Sequence, residues 1–301
     1  MPSALAIKVD VDTEVGTRIG VPNLLRLFDR HGIAATFLFS LGPDNTGRAI
    51  KRIFRRGFFT KVIRSDVVGM YGMRTLLNGV LWPGPHIGKR HAALIRSVRD
   101  AGHEVGIHCY DHVYWQDNLF KMNRDQVFAE FEKANTEFKR IFSESAHTAG
   151  AAGWQTNAYS LEAYELAGIE YASDTRGTHA YYPRVGNRIF NTLQIPTTLP
   201  TLDELLASPT CSRLSLGKFY LSSLRPDDLN VLTIHAEIEG MNWIEFFRRL
   251  LTRIGETGFR LCRLQDLAVG YLTAPVSAPV CDIVYGNVDG RAGMLAIQGT
   301  M

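Results

Sequence analysis

The chain has 301 residues, 46% of them hydrophobic and 21% charged, with a formal net charge of +3. That length can bury one barrel-sized domain or two smaller ones, and the balance is that of a globular protein, not a disordered or fibrous one. A net charge this small excludes nucleic-acid binding by overall charge. Four scattered cysteines with no CxxC pair (Cys109, Cys211, Cys262, Cys281) suit a reducing compartment better than a disulfide framework.

Strand-like and helix-like runs alternate along the chain. Ala4 to Val9 reads as a strand and Val21 to His31 as a helix closed by Gly32. Ile33 to Ser40 is a second strand, Ile87 to Ala101 a helix closed by Gly102, and Glu104 to His108 a third strand. Arg124 to Phe142 carries Val127, Phe128, Phe131, Ala134, Phe138 and Ile141 at helical spacing. His147–Ala151 is strand-like, Ala158–Ala167 a helix closed by Gly168, and Ile169–Ser173 a strand. Leu193–Pro196 is short and extended. Asn230–His235 is a buried strand, Trp243–Ile254 a helix and Phe259–Cys262 a last strand. Repeated strand–helix units imply parallel strands joined by helical crossovers. The expected fold is an α/β protein, a distorted (β/α) barrel of seven or eight strands with its chemistry at the C-terminal strand ends. No GxGxxG follows the first strand, which argues against a dinucleotide-binding sheet.

The N-terminus enters the first strand directly and lacks the basic start and small-residue cleavage site of a signal peptide. No window reaches the roughly 18 uncharged apolar residues of a spanning helix. The expected location is therefore cytoplasmic, with any membrane contact peripheral. Residues 48–86 form an unusually long connection, of the kind that is functional or disordered. Residues 271–301, with Pro275, Pro279 and several glycines, read as an irregular C-terminal extension to a barrel spanning 1–270.

The polar residues at strand ends carry the chemistry. Asp10 and Asp12 are two apart, so an extended strand points both to one face. His108 and His112 sit where a strand turns into a loop, His235 ends Asn-Val-Leu-Thr-Ile-His, and Asp174 follows the strand that ends at Ser173. Any one of these alone is more often a cap or a satisfied core group. Several buried strands ending this way point to metal-assisted hydrolysis. Asp12, His108 and His112 could ligate one divalent ion (zinc, cobalt or manganese), and a second carboxylate beside them could act as a base. Cys109 faces away from His108 and reads as core.

The order of Asp-x-Asp, His-x3-His, Ala149–Trp154, Asp174 and Leu-Thr-Ile-His235 resembles polysaccharide deacetylases of the NodB-homology type. The segments KVDVDTEVGTRIGVPNLL, FLFSLGPDNTGR, GHEVGIHCYDHVYWQ, SDTRG, QIPTTLPT and TIHAEIEG resemble the branch of that family that deformylates an undecaprenyl-linked formamido sugar. The likeness covers about residues 5–267 and leaves the tail outside. It implies Asp12, His108 and His112 as metal ligands, Asp10 as general base and His235 as general acid. Trp154, Asp174 and Arg176 are expected at the substrate. It also implies a lipid-linked 4-formamido-arabinose substrate, serving lipid A modification and polymyxin resistance. Two features depart from the wider family. Val11 separates aspartates that are adjacent there, so the roles of Asp10 and Asp12 could be exchanged. The arginine that orients the base in the family's third motif is missing, and Arg176 or Arg18 is its expected substitute.

From Arg48 to Arg64 there are seven basic residues and no acid, interleaved with large apolar groups. Arg52, Phe54, Arg55, Arg56, Phe58 and Phe59 have the character of a segment lying on an anionic membrane surface, and no nucleic-acid motif accompanies them. The expected site of action is the cytoplasmic face of the bacterial inner membrane. Alternatives are a deacetylase of another N-acyl sugar or a non-catalytic sugar- or lipid-binding module.

Overall fold

The structure, a computed structural model, describes residues 3–48, 78–80, 82–208, 211–273, 278–291 and 293–301. Eight strands form one parallel sheet: β1 (Ala4–Val11), β2 (Thr36–Ser40), β3 (Glu104–Cys109), β4 (Thr148–Ala149), β5 (Tyr171–Ala172), β8 (Leu193–Gln194), β9 (Val231–His235) and β10 (Arg260–Cys262). Their order is β10-β1-β2-β3-β4-β5-β8, with β9 also on β1. Past β8, the amides of Thr198 and Leu199 donate to the Val231 carbonyl at 3.2 Å each, and Thr198 Oγ1 accepts from the Val231 amide at 2.9 Å. These bonds join the last strand to β9 and close the curl into a distorted barrel. β1 is the hub, and its register sets Asp10 directly opposite His235 on β9.

The period-2 alternation of β1 sorts its side chains into two environments. Leu5, Ile7, Val9 and Val11 belong to the core shared with the surrounding helices. Lys8 and Asp10 occupy the alternate positions and are just as buried. An added Cβ on Gly150 would lie 3.4 Å from Lys8 Nζ, which places Lys8 across the lumen from β4. Thr197 and Thr233 hydroxyls bond one another at 2.7 Å on the far side. The lumen is thus polar near the end where the strands deliver Asp10, His108 and His235.

Among the described residues, five α-helices fall where the sequence places them, those that open at Val21, Ile87, Arg124, Ala158 and Ile244, and the other four were not expected. α1 (Val21–His31) buries Val21, Leu24, Leu27 and Phe28 on one stripe and stops at Gly32, whose φ of 62° is the left-handed conformation that glycine adopts without a Cβ penalty. α2 (Ile87–Asp100) and α3 (His112–Asn118) flank β3. α4 (Arg124–Phe142) starts with a capping box between Asn123 and Gln126, and α5 (Ala158–Ala167) ends at Gly168. Among the described residues α6 (Leu202–Ala207), α7 (Leu216–Ser223), α8 (Ile244–Glu256) and α9 (Leu264–Thr273) follow.

The expected irregular tail is instead ordered structure. β11 (Val280–Gly286) and β12 (Leu295–Gln298) pair with β6 (Tyr182–Val185) and β7 (Arg188–Ile189) in a second sheet, ordered β12-β11-β6-β7. Cys281 and Ile283 turn inward from β11 and join the main core. The alternation is short and hemmed in by proline and glycine, which hid it in the sequence. The amide of Arg176 donates to the Ala296 carbonyl at 3.0 Å, fastening this sheet to the barrel rim.

Of the long connection, only the two ends fall among the described residues. Asp44 and Pro85 share a backbone bond of 3.0 Å, and Arg48 Nε donates to the Gly79 carbonyl at 3.0 Å. Arg52, Phe54, Arg55, Arg56, Phe58 and Phe59 lie outside the described residues.

Candidate metal centre and active site

Asp12, His108 and His112 converge just past the ends of β1 and β3. Each can offer one ligand atom, and these atoms lie within 4.8 Å of one another. His108 is fixed by its strand and by its own ring: Nδ1 is 2.6 Å from the Gly150 carbonyl. A carbonyl only accepts, so Nδ1 carries a proton, and Nε2 is the ring atom turned toward Asp12. That Nε2 is 3.2 Å from Asp12 Oδ1, and His112 Nε2 is 3.4 Å from Asp12 Oδ2. His112 is the first residue of α3, held by Asp111, which caps the helix by accepting the Tyr114 amide at 3.0 Å.

Burial lowers the His108 imidazole, but Asp10 and Asp12 outweigh it and raise it, whereas His112 and Asp12 are held in the form a cation binds. Burial depresses the His112 imidazole to about 4, leaving it neutral. Burial would raise Asp12, but His112, His108 and His235 outweigh it and hold the carboxyl well below the usual range. Asp12 Oδ1 is buried and makes no hydrogen bond. One carboxylate and two imidazoles, with a buried oxygen left over, fit a first-row divalent ion.

Asp10 is buried beside this cluster. Its Oδ2 is 3.5 Å from Lys8 Nζ, its Oδ1 is 3.9 Å from His108 Nδ1, and Oδ1 makes no hydrogen bond. The grouping separates the two aspartates: Asp12 joins the histidines, while Asp10 is tied to Lys8. On the other flank His235 Nδ1 lies 3.7 Å from Asp203 Oδ1, at the start of α6. Burial pushes the His235 imidazole down, but Asp203, Asp12, Asp10 and Glu239 together lift it to about 9. Its backbone amide donates to Glu239 Oε2 at 2.9 Å.

A second carboxylate sets the β1 terminus. Glu237 Oε1 accepts from the amides of Asp12 (3.0 Å) and Thr13 (2.7 Å) and from Thr13 Oγ1 (2.7 Å). A Cβ on Gly16 would lie 2.0 Å from that oxygen, so only glycine admits the clamp. Burial, with the nearby Asp12 charge, lifts Glu237 to about 8.

A family model described as polysaccharide deacetylase matches residues 9–172, the stretch that carries Asp10, Asp12, His108 and His112. The chain belongs to the polysaccharide deacetylase family. Among curated relatives, a probable 4-deoxy-4-formamido-L-arabinose-phosphoundecaprenol deformylase of Shewanella sediminis is 36% identical over 297 residues, spanning 99% of this chain and 95% of its own. A protein of the same name from Wigglesworthia glossinidia brevipalpis is 32% identical over 94% of this chain and 98% of its own. A Mycobacterium smegmatis crystal structure that carries the polysaccharide deacetylase name superposes with a TM-score of 0.63 at 17% identity, covering 91% of this chain and 92% of the other. The first match runs past residue 267 and takes in the C-terminal sheet, so the tail is part of the resemblance, contrary to the sequence expectation.

The other residues expected at the substrate are turned inward. Asp174 is fully buried and accepts from the Ala151 amide at 2.6 Å and from Gln194 Nε2 at 2.9 Å. Trp154 is buried with Nε1 bonded to Thr197 Oγ1 at 3.0 Å. Arg176 grips Glu204 through Nη1 at 2.7 and 2.9 Å and the Leu199 carbonyl at 3.1 Å. All three brace the wall of the site. Arg18 reaches Glu14 at 3.2 Å, and Lys8 rather than either arginine lies against Asp10. Sequence reading missed Lys8, Asp203, Glu237, Glu239 and Arg291. Arg291, from the loop between β11 and β12, stacks 4.2 Å over Trp154 and stands 3.8 Å from Asp203. A charge in the apolar run of β1, two residues before Asp10, was the readable signal for Lys8. Thr201-x-x-Glu204 reads as a capping box beside Asp203. Arg291 left no such signal.

Proposed function

We propose that this protein hydrolyses the N-formyl group of 4-deoxy-4-formamido-L-arabinose carried on undecaprenyl phosphate, releasing formate and the 4-amino sugar lipid. The observation that carries the reading is the 36% identity, over nearly the whole chain, to a relative named for that reaction. Asp12, His108 and His112 would hold one divalent ion (zinc, cobalt or manganese), which supplies Lewis-acid polarisation and a lowered pKa for bound water. Asp10 serves as general base: its free Oδ1 faces the cluster and takes the proton of the attacking water. His235, held protonated by Asp203, serves as general acid and gives its proton to the departing sugar amine. His235 thus starts the turnover with the proton that an acid must give.

The lipid-linked substrate calls for work at the cytoplasmic leaflet of the inner membrane, in the service of lipid A modification and polymyxin resistance. Among the described residues no helix is long and apolar enough to cross a membrane. The basic, aromatic run from Arg48 to Arg64 would dock the protein peripherally on anionic lipid. The family name by itself also fits an N-acetyl sugar. Purified protein given the lipid-linked formamido sugar should release formate, and a chelator should stop it. Acetate release from N-acetyl sugars, with no formate under zinc, cobalt or manganese, would overturn the deformylase reading.

A further inference from the structure

We propose that Lys8, from inside the barrel, is the positioning residue for the Asp10 carboxylate. The inference rests on Asp10 being the base of the proposed hydrolysis. Lys8 is fully buried, and its Nζ touches three things: the Ser173 carbonyl at 2.9 Å, Asp10 Oδ2 at 3.5 Å and the Trp154 ring at 5.2 Å from its centroid. An ammonium removed from water is costly unless it is paired and hydrogen-bonded. Burial pushes the Lys8 amine down, Asp10 and then Asp174 oppose it, and Asp10 is the carboxylate within ion-pair reach.

The pleat makes the pairing geometric. Lys8 and Asp10 are alternate residues of β1, so their Cα atoms are about 6.5–7 Å apart on one face. The long lysine side chain spans that gap and ends beside the nearer carboxylate oxygen. Oδ2 is thereby occupied, and Oδ1 is the oxygen left for a proton. Without Lys8 the carboxylate could rotate and turn either oxygen toward His108, 3.9 Å away. A spacer role alone would need only a side chain of the right length. Methionine therefore separates the two roles, since it fills similar volume without charge.

The test compares wild type with Lys8→Met, Lys8→Arg, Asp10→Asn and the Lys8→Met/Asp10→Asn double variant. For Lys8→Met, kcat for formate release should fall about 100-fold, the scale of a misplaced general base, with KM within threefold and one metal ion retained. Lys8→Arg should recover at least a tenth of wild-type kcat. Lys8→Met with kcat within threefold of wild type overturns the proposal, as does Lys8→Arg no better than methionine. The four proteins of the Lys8/Asp10 cycle should also show non-additive denaturant midpoints, a reading of the pair that needs no substrate. Additive midpoints overturn the pairing even if the wild type cleaves another N-acyl sugar. Should Lys8→Met fail to fold, Lys8→Gln takes its place in both measurements. Wild type that releases no formate, alongside a coupled Lys8–Asp10 pair, refutes the substrate and leaves the pairing standing.

Discussion

Asp203→Asn probes the acid without touching the metal cluster. Asp203 is the first of four carboxylates that lift His235 from 6.5 to about 9 against the opposing effect of burial, and its Oδ1 stands 3.7 Å from His235 Nδ1. Its side chain is 36% exposed, so water screens part of the interaction. Removing the charge should therefore lower the alkaline limb of kcat by roughly one to two pH units, well short of an unscreened Coulomb value. The sign follows from the role: the acid must be protonated, so a lower pKa loses activity from the alkaline side only. At pH 6 the variant should match wild type, and near pH 9 it should be about tenfold slower, since each pH unit beyond the limb costs a factor of ten. A divalent ion depresses both titrations alike, so the separation between the two profiles is the quantity to read. Superimposed profiles, or a uniform loss at every pH, would refute the assignment of His235 as an acid charged by Asp203.

Asp10→Asn should abolish turnover and keep metal, whereas His108→Ala should lose the metal. Elemental analysis of both proteins decides, and a metal-free Asp10→Asn protein would reverse the two aspartates. Reversing the charges of Arg52, Arg55 and Arg56 should release the protein from anionic liposomes at low salt, and undiminished co-sedimentation would remove the docking role. Phe28 is fully buried, with edge contacts to Phe37 and Phe247 at 6.0 and 6.2 Å. Phe28→Ala should cost about 3–5 kcal/mol in urea unfolding and leave the activity of the folded fraction unchanged. A cost under about 1 kcal/mol would mean that the core relaxes around α1.

The barrel was legible because its signals are local. Gly32 and Gly168 stop α1 and α5 where expected, both at positive φ, and Asn123 opens α4 with its capping box. The strand ends carried the polar residues that the structure brings together, so Asp12, His108 and His112 were readable as a cluster. What stayed hidden depends on contacts across the chain. Asp203 meets His235 from a helix that the strand pattern passed over. Arg176 lies close to the site in sequence logic but is consumed by Glu204, a partner that spacing could not name. β4 and β5 are two residues each, too short for period 2 to fix their bounds. β6 and β7 flank Gly186-Asn187, a hairpin turn signal left unread.

β1 is also a ruler. Lys8, Asp10 and the adjoining Asp12 are spaced by the pleat, with Val9 and Val11 between them committed to the helical side. Deleting one residue before Lys8 need not disturb the site, because the strand could re-pair upstream. Deleting Val9 would turn Lys8 toward the helices while leaving Asp10 and Asp12 in the lumen, and deleting Val11 would set Asp12 against the odd face. Neither defect can be repaired by a substitution at the altered position. At Val9 and Val11, exchange for another apolar residue should therefore be tolerated far better than loss of the position.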